Sequence, residues 1–327
     1  MLNYILRRIL YMIVILFLVS VLGAILIELP PGSALEARIQ RLRALGGEMS
    51  LDQIQSLEAR YGLRDPLPVK YFKWVSRVIR GDFGQSFTYD APVANLIWDR
   101  LGLTLLLSSF AFILSWGLSI PLGVYSATHR YTLPDYIITA LQFIGVAVPN
   151  FLLALIVMVI AAQVFHADVG ALFSQKYATA PWSVGKVIDL LQHLWIPVLV
   201  IGAGSTAWLT RVMRANLLDV LNQQYVQTAR AKGLTERVVI WKHAVRNALH
   251  PLIMALGGVL PGLISGEVIV STVLNLPTTG PLYFSALLNK DMYLAITFLM
   301  FLSVMLVVGN LLADLLLAWV DPRVRLE

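Results

Sequence analysis

The 327-residue sequence contains no cysteine. Disulfides, thiolate metal sites and a cysteine nucleophile are therefore excluded, and nothing follows about redox compartment. Charge is scarce as well, with Asp, Glu, Lys and Arg making up 13% of the chain. No G-x-x-x-x-G-K-[ST] run is present, so the chain has no P-loop with which to hold ATP phosphates. H-E-x-x-H and G-x-S-x-G are missing too, which leaves no zinc-protease helix and no nucleophile elbow. His129, His166, His193, His243 and His250 show no metal-ligand spacing, and a cytosolic surface accounts for His243 and His250 more simply than a shared ligand does. No catalytic residue, metal site or bound cofactor is expected. Any uphill work must draw on another polypeptide or on an ion gradient.

What the chain has in abundance is apolar sequence. Hydrophobic residues make up 58% of it, and its mean hydropathy is +0.74, too apolar for a soluble domain of this length. The reading is an all-α polytopic membrane protein. Six spans are expected, over about Ile9 to Leu29, Thr104 to Ala127, Asp135 to Phe165, His193 to Ala215, Pro251 to Val273 and Asp291 to Val320, each at least the roughly 20 residues that cross a bilayer. The first run is too long for a signal peptide, and no small-residue cleavage site follows it. The net charge of +6 sits in segments assigned to the cytoplasm, as the positive-inside rule requires, so membrane topology explains it better than a nucleic-acid surface. Both termini are expected inside.

Between the first two spans lies a long polar stretch, Pro30 to Asp99, with nine Lys or Arg against eight Asp or Glu. Helical pieces are expected around Leu35 to Leu45 and Leu51 to Tyr61, with Ser50 as an N-cap and Gly62 as a stop. It reads either as a small outer module or as a connector lying on the surface. Pro121 and Pro149 interrupt the backbone ladder of the second and third spans. Pro149-Asn150 is open to two readings, a static kink or a hinge in a polar path.

The most informative stretch is Asn222 to Pro251, which lies between two spans. In it and just before it, Arg211, Arg214, Arg230, Lys232, Arg237, Lys242 and Arg246 stand against Asp219 and Glu236, so it is placed in the cytoplasm. Val220 to Lys232 predicts a helix closed by Gly233 in the left-handed region. Thr235 is a candidate N-cap, with Glu236 in the first turn of a second helix running through Trp241 towards Asn247. Residues alone leave a docking knob and an ordinary connecting loop equally open. A DNA-binding helix-turn-helix is poorly compatible with a segment tethered to the bilayer at both ends.

The run Tyr225-Val-Gln-Thr-Ala-Arg-Ala-Lys-Gly233-Leu, followed by His243-Ala-Val-Arg-Asn-Ala-Leu, resembles the cytoplasmic EAA loop of ABC importer permeases in its dipeptide, oligopeptide and nickel variant, of the first permease subunit type. Gln227, Thr228 and Ala229 stand where that loop is named for Glu, Ala and Ala. Leu63-Arg-Asp-Pro-Leu-Pro with Gly81-Asp-Phe-Gly-Gln-Ser86 and the stretch Thr272 to Leu282 are similar to other parts of the family, although Leu276 and Thr278 replace an aromatic and a Gly. The resemblance extends from Leu2 to Arg325.

It implies a type I ABC importer transmembrane fold: a first helix over 1–30, an extracytoplasmic loop region over 31–99, and a core over 100–327 with the coupling loop at 217–250. It implies that Tyr225, Gln227, Thr228, Ala229, Arg230, Ala231, Lys232, Gly233 and Leu234 form the ATPase-coupling segment. Implied partners are a second homologous permease, two ABC ATPase subunits that use ATP and Mg, an extracytoplasmic solute-binding protein and the lipid bilayer of a bacterial or archaeal plasma membrane; no nucleic acid is implied. Oligopeptides or dipeptides are the implied cargo, with oligosaccharides or another small solute as the alternative within the architecture. A self-sufficient secondary transporter or channel is the alternative of another class.

Within the spans, Gly258, Gly262 and Gly266 recur every four residues, a pattern that lets another helix approach closely. The resemblance adds that this stripe serves the contact between two permease subunits. Glu267 is a carboxylate in a span, costly unless it meets water, a cavity or a partner. It reads either as exposed to interfacial water or, with Ser265 and Ser271, as facing the pathway.

Overall fold

The computed structural model describes residues 2–29, 35, 39, 43, 50, 52–56, 65–164, 170–259, 261–262 and 268–320. Helix dominates. In chain order the elements are α1 (Leu2–Glu28), α2 (Leu67–Val78), β1 (Gln85–Ser86), β2 (Ala91–Pro92), α3 (Val93–Thr128), α4 (Leu133–Ala147), α5 (Asn150–Val164), α6 (Val184–Leu221), α7 (Gln224–Ala231), α8 (Glu236–Val238), α9 (Val245–Ala248), α10 (His250–Ala255), α11 (Val268–Val273), α12 (Thr279–Leu288) and α13 (Met292–Val320). A π-helical turn, Val239–Ala244, joins α8 to α9, and a 3-10 turn, Leu256–Gly258, follows α10. Among the described residues three helices are long and apolar enough to cross a membrane, over Val93–Thr128, Val184–Leu221 and Met292–Leu316, and α4 with α5 adds a fourth if the bent pair is one span. The protein is a multi-pass membrane protein.

Several spans differ from their expected bounds. Helix α3 begins at Val93 rather than Thr104, because Val93, Ile97 and Leu101 recur every fourth residue and are all buried. That stripe extends the helix through Asp99 and Arg100, which a search for unbroken apolar runs rejects. Helix α6 starts at Val184 rather than His193, capped by Ser183 Oγ, which accepts from Lys186 N–H at 3.3 Å. The third span is two helices meeting at 110°. Val148 there is extended (φ −82°, ψ 123°), the conformation that a following proline favours, whereas Pro121 and Pro197 lie inside α3 and α6 without ending them. The fifth expected span is interrupted too, since α10 tightens into the 3-10 turn before Val259.

The chain divides into two compact units, one of Met1–Leu103 with Thr278–Val307 and the other of Thr104–Pro277 with Val308–Glu327. In the first, α1 and α2 are tied by Ser20 Oγ and Tyr71 Oη at 2.7 Å and by Lys70 Nζ on Glu28 at 2.8 Å. Ser50 is an N-cap as expected: its Oγ accepts from Gln53 N–H at 3.3 Å, while Gln53 Oε1 accepts from Ser50 N–H at 3.1 Å, the reciprocal pair of a capping box. Gly62 and much of the expected helical stretches lie outside the described residues. Asp291, fully buried ahead of α13, accepts from Ser86 Oγ at 2.5 Å and Thr88 N–H at 2.9 Å, pinning the β1–β2 hairpin.

In the second unit α4 and α5 both pack on α6. Helices α3 and α6 approach closely at Gly123, where a Cβ would lie 2.7 Å from Met213 Cβ. A buried network sits near the ends of α3 and α6. Asp135 accepts from Ser126 Oγ, from Arg214 Nη2 at 3.1 Å and from Tyr131 N–H at 3.0 Å, and Arg214 Nε donates to Ser126 Oγ at 2.8 Å. Several donors converge on the carboxylate, which is what makes a buried charge tolerable.

Candidate functional site

The polar stretch after α6 folds into a compact helical knuckle. Its first helix is shorter than expected: Val220 belongs to α6, which ends at Leu221, and α7 starts afresh at Gln224. Gln227 Nε2 reaches back to Leu221 C=O at 3.3 Å, occupying one of the carbonyls that the end of α6 leaves without a helical partner. Gly233, at φ +76°, closes α7 in the left-handed region. Leu234 N–H bonds Ala229 C=O at 3.4 Å and Gly233 N–H bonds Arg230 C=O at 2.9 Å, the paired bonds of a Schellman closure. Thr235 does precede the next helix, but its side chain makes no cap bond; its carbonyl accepts from Val238 and Val239 N–H instead. The second helix runs as expected through Trp241 to Asn247, with the π turn in its middle.

An apolar underside anchors this knuckle. Val226, Ala229, Val239, Ala244, Val245, Ala248 and Leu252 cluster with Val124 and Ala127 of α3 and with Leu209, Met213 and Leu217 of α6. Val226 and Val239 are wholly buried, each worth about 1.5–3 kcal/mol relative to exposure. Asn247 Nδ2 donates to Tyr225 Oη at 2.6 Å, linking the two arms. Arg230 Nε and Glu236 Oε1 pair at 2.7 Å across the Gly233 turn, but both are solvated, so this pair contributes about 0.2–1 kcal/mol.

The outer face is different in kind. Gln227, Thr228, Ala231, Lys232, Gly233 and Leu234 are exposed, with Arg230 partly so, while Ala229 faces inward. Leu234 and Trp241 keep 41% and 50% of their surface open, and Lys232, Arg237, Lys242 and Arg246 of the same segment are exposed too. The knuckle thus exposes an aromatic, an aliphatic and several basic side chains on a base that packing holds in place.

A second feature of the same unit is a cavity of about 550 Å³. It is lined from α3 by Ser108, Phe112, Ser115 and Trp116, from α5 by Asn150, and from α6 by Gly204, Ser205 and Trp208, with Gly258 and Gly262 on a further side. Among the described residues, none that lines it is charged. Sequence reasoning missed this wall, although Ser108 and Ser115, seven residues apart, share one helical face. Of the expected pathway residues, Ser271 is fully buried and is not part of the lining, while Ser265 and Glu267 lie outside the described residues. Two glycines of the expected stripe can be placed. Among the described residues, a Cβ at Gly258 or Gly262 would meet no atom within 4 Å, and both border the cavity. Gly266 lies outside the described residues. Pro149-Asn150 makes the bend, and it brings the Asn150 amide to the cavity wall beside Gly204. Among the described residues no group of His, Asp and Glu is placed to hold a metal.

Comparison with known proteins agrees with this anatomy. The profile described as "Binding-protein-dependent transport system inner membrane component" matches residues 119–326, and its N-terminal counterpart, "Binding-prot-dependent transport system membrane comp, N-term", matches residues 1–108. The chain is 38% identical over 324 residues to the oligopeptide transport system permease protein AppB of Bacillus subtilis, covering 98% of this chain and 99% of that one. It is 30% identical over 326 residues to the oligopeptide transport system permease protein OppB of Escherichia coli, covering 99% and 100%. A putative peptide permease protein of Brucella ovis is 32% identical over 327 residues, covering 99% of each.

Proposed function

The chain belongs to the family of binding-protein-dependent transport system inner membrane components, and from that premise we propose that it is a transmembrane permease subunit of an ATP-driven importer that carries oligopeptides released by an extracytoplasmic binding protein. The names of its relatives favour peptides over oligosaccharides. In this reading the chain crosses the membrane six times, through α1, α3, the bent α4–α5 pair, α6, the segment from α10 to α11, and α13. Both termini and the Gln224–Ala248 knuckle face the cytoplasm, and residues 31–99 lie outside. A second related permease completes the pathway. Two ATPase subunits bind ATP and Mg, and this chain performs no chemistry itself.

The observation that carries the proposal is the two-sided knuckle, rigidly rooted beneath and exposed, apolar and cationic above. Its roots are the helices that also wall the cavity. Leu217 of α6 lies in the knuckle's cluster and Trp208 of the same helix in the cavity wall, about 14 Å along a continuous rod at 1.5 Å per residue. On α3, Val124 and Ala127 are in the cluster while Ser115 and Trp116 are in the wall. Closure of the ATPases on nucleotide pushes the knuckle, the push tilts α3 and α6, and the cavity changes the side to which it opens.

Reconstitution tests this. The complex co-purified through this chain, placed in liposomes with its binding protein, is expected to accumulate peptide only with ATP and Mg. Equal accumulation by this chain alone, or accumulation driven by an ion gradient without ATP, rejects the importer in favour of a self-sufficient transporter.

A further inference from the structure

We propose that α2 is an interfacial helix: its exposed apolar face lies in the bilayer leaflet at the Glu28 end of α1, and the arginines flanking that face bind anionic phospholipid headgroups. This rests on the reading of α1 as a membrane span and adds to it a foot that recognises lipid by charge.

The first observation is depth. No charged residue stands between Arg8 and Glu28, about 30 Å of helix, which matches the hydrocarbon thickness of a bilayer. Glu28 therefore marks where α1 leaves the apolar layer. Lys70 Nζ pairs with Glu28 at 2.8 Å, and Tyr71 Oη shares a hydrogen bond with Ser20 Oγ at 2.7 Å. Ser20 lies about 12 Å along α1 from Glu28, towards the bilayer centre. Consecutive residues of α2 thus reach the boundary and a point inside it, which holds α2 at the boundary rather than in the water beyond. Near that level Leu26 and Leu29 of α1 are themselves 62% and 66% exposed, so the apolar surface of the span continues up to α2.

The second is the division of α2 into three arcs. Trp74, 1% exposed, faces the protein. Phe72 and Ile79 are seven residues apart and so share another face, where they stay 70% and 80% exposed; Ile79 keeps helical geometry at φ −59° and ψ −26°. Lys73, Arg77 and Arg80, at i, i+4 and i+7, form the third arc, and all three are exposed. An open apolar face edged by cations is the pattern of a helix lying in a headgroup layer, with the long basic side chains reaching out to the phosphates.

The third is charge. Over residues 65–80 four cations stand against one acid, Asp65. Lys70 is matched by Glu28 and Lys73 by Asp65, the latter at 2.6 Å. That leaves the two arginines as the surplus of the segment, and a guanidinium suits a phosphate diester. A water-soluble partner docking on the same face would have to descend to the level at which Tyr71 meets Ser20, inside the boundary that Glu28 marks.

The test uses the whole complex in vesicles of phosphatidylcholine with phosphatidylglycerol. Because the chain has no cysteine, Phe72→Cys and Ile79→Cys each take one environment-sensitive fluorophore, with the unsubstituted complex as background. Both labels are expected to be quenched by nitroxide-bearing lipid and spared by aqueous iodide. Each arginine near a charged surface favours anionic headgroups by about fivefold. At equal content, nitroxide-phosphatidylglycerol is therefore expected to quench the Ile79→Cys label more strongly than nitroxide-phosphatidylcholine. That preference is expected to fall about fivefold in Arg80→Gln and about thirtyfold, to none, in Arg77→Gln/Arg80→Gln. Strong quenching by iodide, which water or a loosely seated binding protein would give, would overturn the proposal. So would quenching by neither agent, the result of a covering subunit, or equal quenching by the two lipids. A label at Val14→Cys, exposed midway along α1, is expected to respond to nitroxide lipid; failure there would reject the α1 span and the proposal with it. ATP-driven peptide uptake by the unlabelled complex tests the importer reading independently, since uptake can fail with both α2 labels immersed.

Discussion

Gly233 offers the sharpest separation of backbone from side-chain effects in this protein. It sits at φ +76°, yet a Cβ built there has no atom within 4 Å. Substitution therefore introduces torsional strain and no clash. An ordinary L-residue in the left-handed region costs about 1–2 kcal/mol, and a β-branched one sits at the upper end. The alternative is to open the turn and forfeit the two closing bonds, Leu234 to Ala229 and Gly233 to Arg230, at about 1 kcal/mol each. Either route costs Gly233→Val about 2 kcal/mol, a shift of about thirtyfold in the population of the closed turn. Asn tolerates this conformation far better, so Gly233→Asn loses a few tenths of a kcal/mol and Gly233→Ala falls between. Peptide-stimulated ATP hydrolysis and uptake in proteoliposomes, alongside hydrogen exchange over residues 229–238, read the result. The expected order is Gly, Asn, Ala, Val in falling coupling and rising exchange, with thermal unfolding of the complex nearly unchanged. Equal behaviour of Asn and Val, or normal exchange and coupling in Val, would refute the reasoning.

Further expectations follow from the same geometry. Asp135→Ala removes the carboxylate that Arg214, Ser126 and Tyr131 share, and is expected to cost about 3–5 kcal/mol; the Asp135→Ala/Arg214→Met pair should recover much of that by thermal unfolding in detergent, and no recovery would argue against a coupled pair. Leu217→Ala empties a fully buried position under the knuckle and is expected to destabilise by about 2–5 kcal/mol with raised exchange in α7; unaltered protection there would detach the knuckle from α6. Glu236→Ala breaks only a solvated pair, and a stability change above about 1 kcal/mol would show that the pair does more than its exposure allows.

Local requirements were the legible part. Gly233 announced its own conformation because only one residue type adopts it cheaply; Pro149 marked a break because proline disfavours helix before it, but Pro121 and Pro197, equally visible, are absorbed within α3 and α6. The apolar runs gave the cores of α3, α6 and α13 by composition alone. Their ends were harder. Val93, Ile97 and Leu101 bury one face of a helix whose other face carries Asp99 and Arg100, so an averaged hydropathy hides it. The boundary at Asn222–Gln223 was missed because nothing in Val220 to Lys232 forbids a continuous helix; the break lets Val226 and Ala229 turn onto the cluster with Leu217. The cavity was illegible for a different reason. Ser108, Asn150, Trp208 and Gly258 come from four separate segments and become one wall only through packing. Nor does the spacing of Gly258 and Gly262 say what approaches them, since that depends on which chain covers the face.

The central claim is that the Gln224–Ala248 knuckle is where a nucleotide-hydrolysing partner grips this chain. Because the sequence has no cysteine, one introduced residue reports without background. Leu234→Cys and Trp241→Cys, on the exposed face, and Trp182→Cys, an exposed control at the far end of α6, would each be treated with a bifunctional maleimide in the native membrane. The account predicts a cross-link to the ATPase subunit from positions 234 and 241, altered by ATP, and none from 182. No ATPase adduct at 234 or 241, or an equal one at 182, would contradict it.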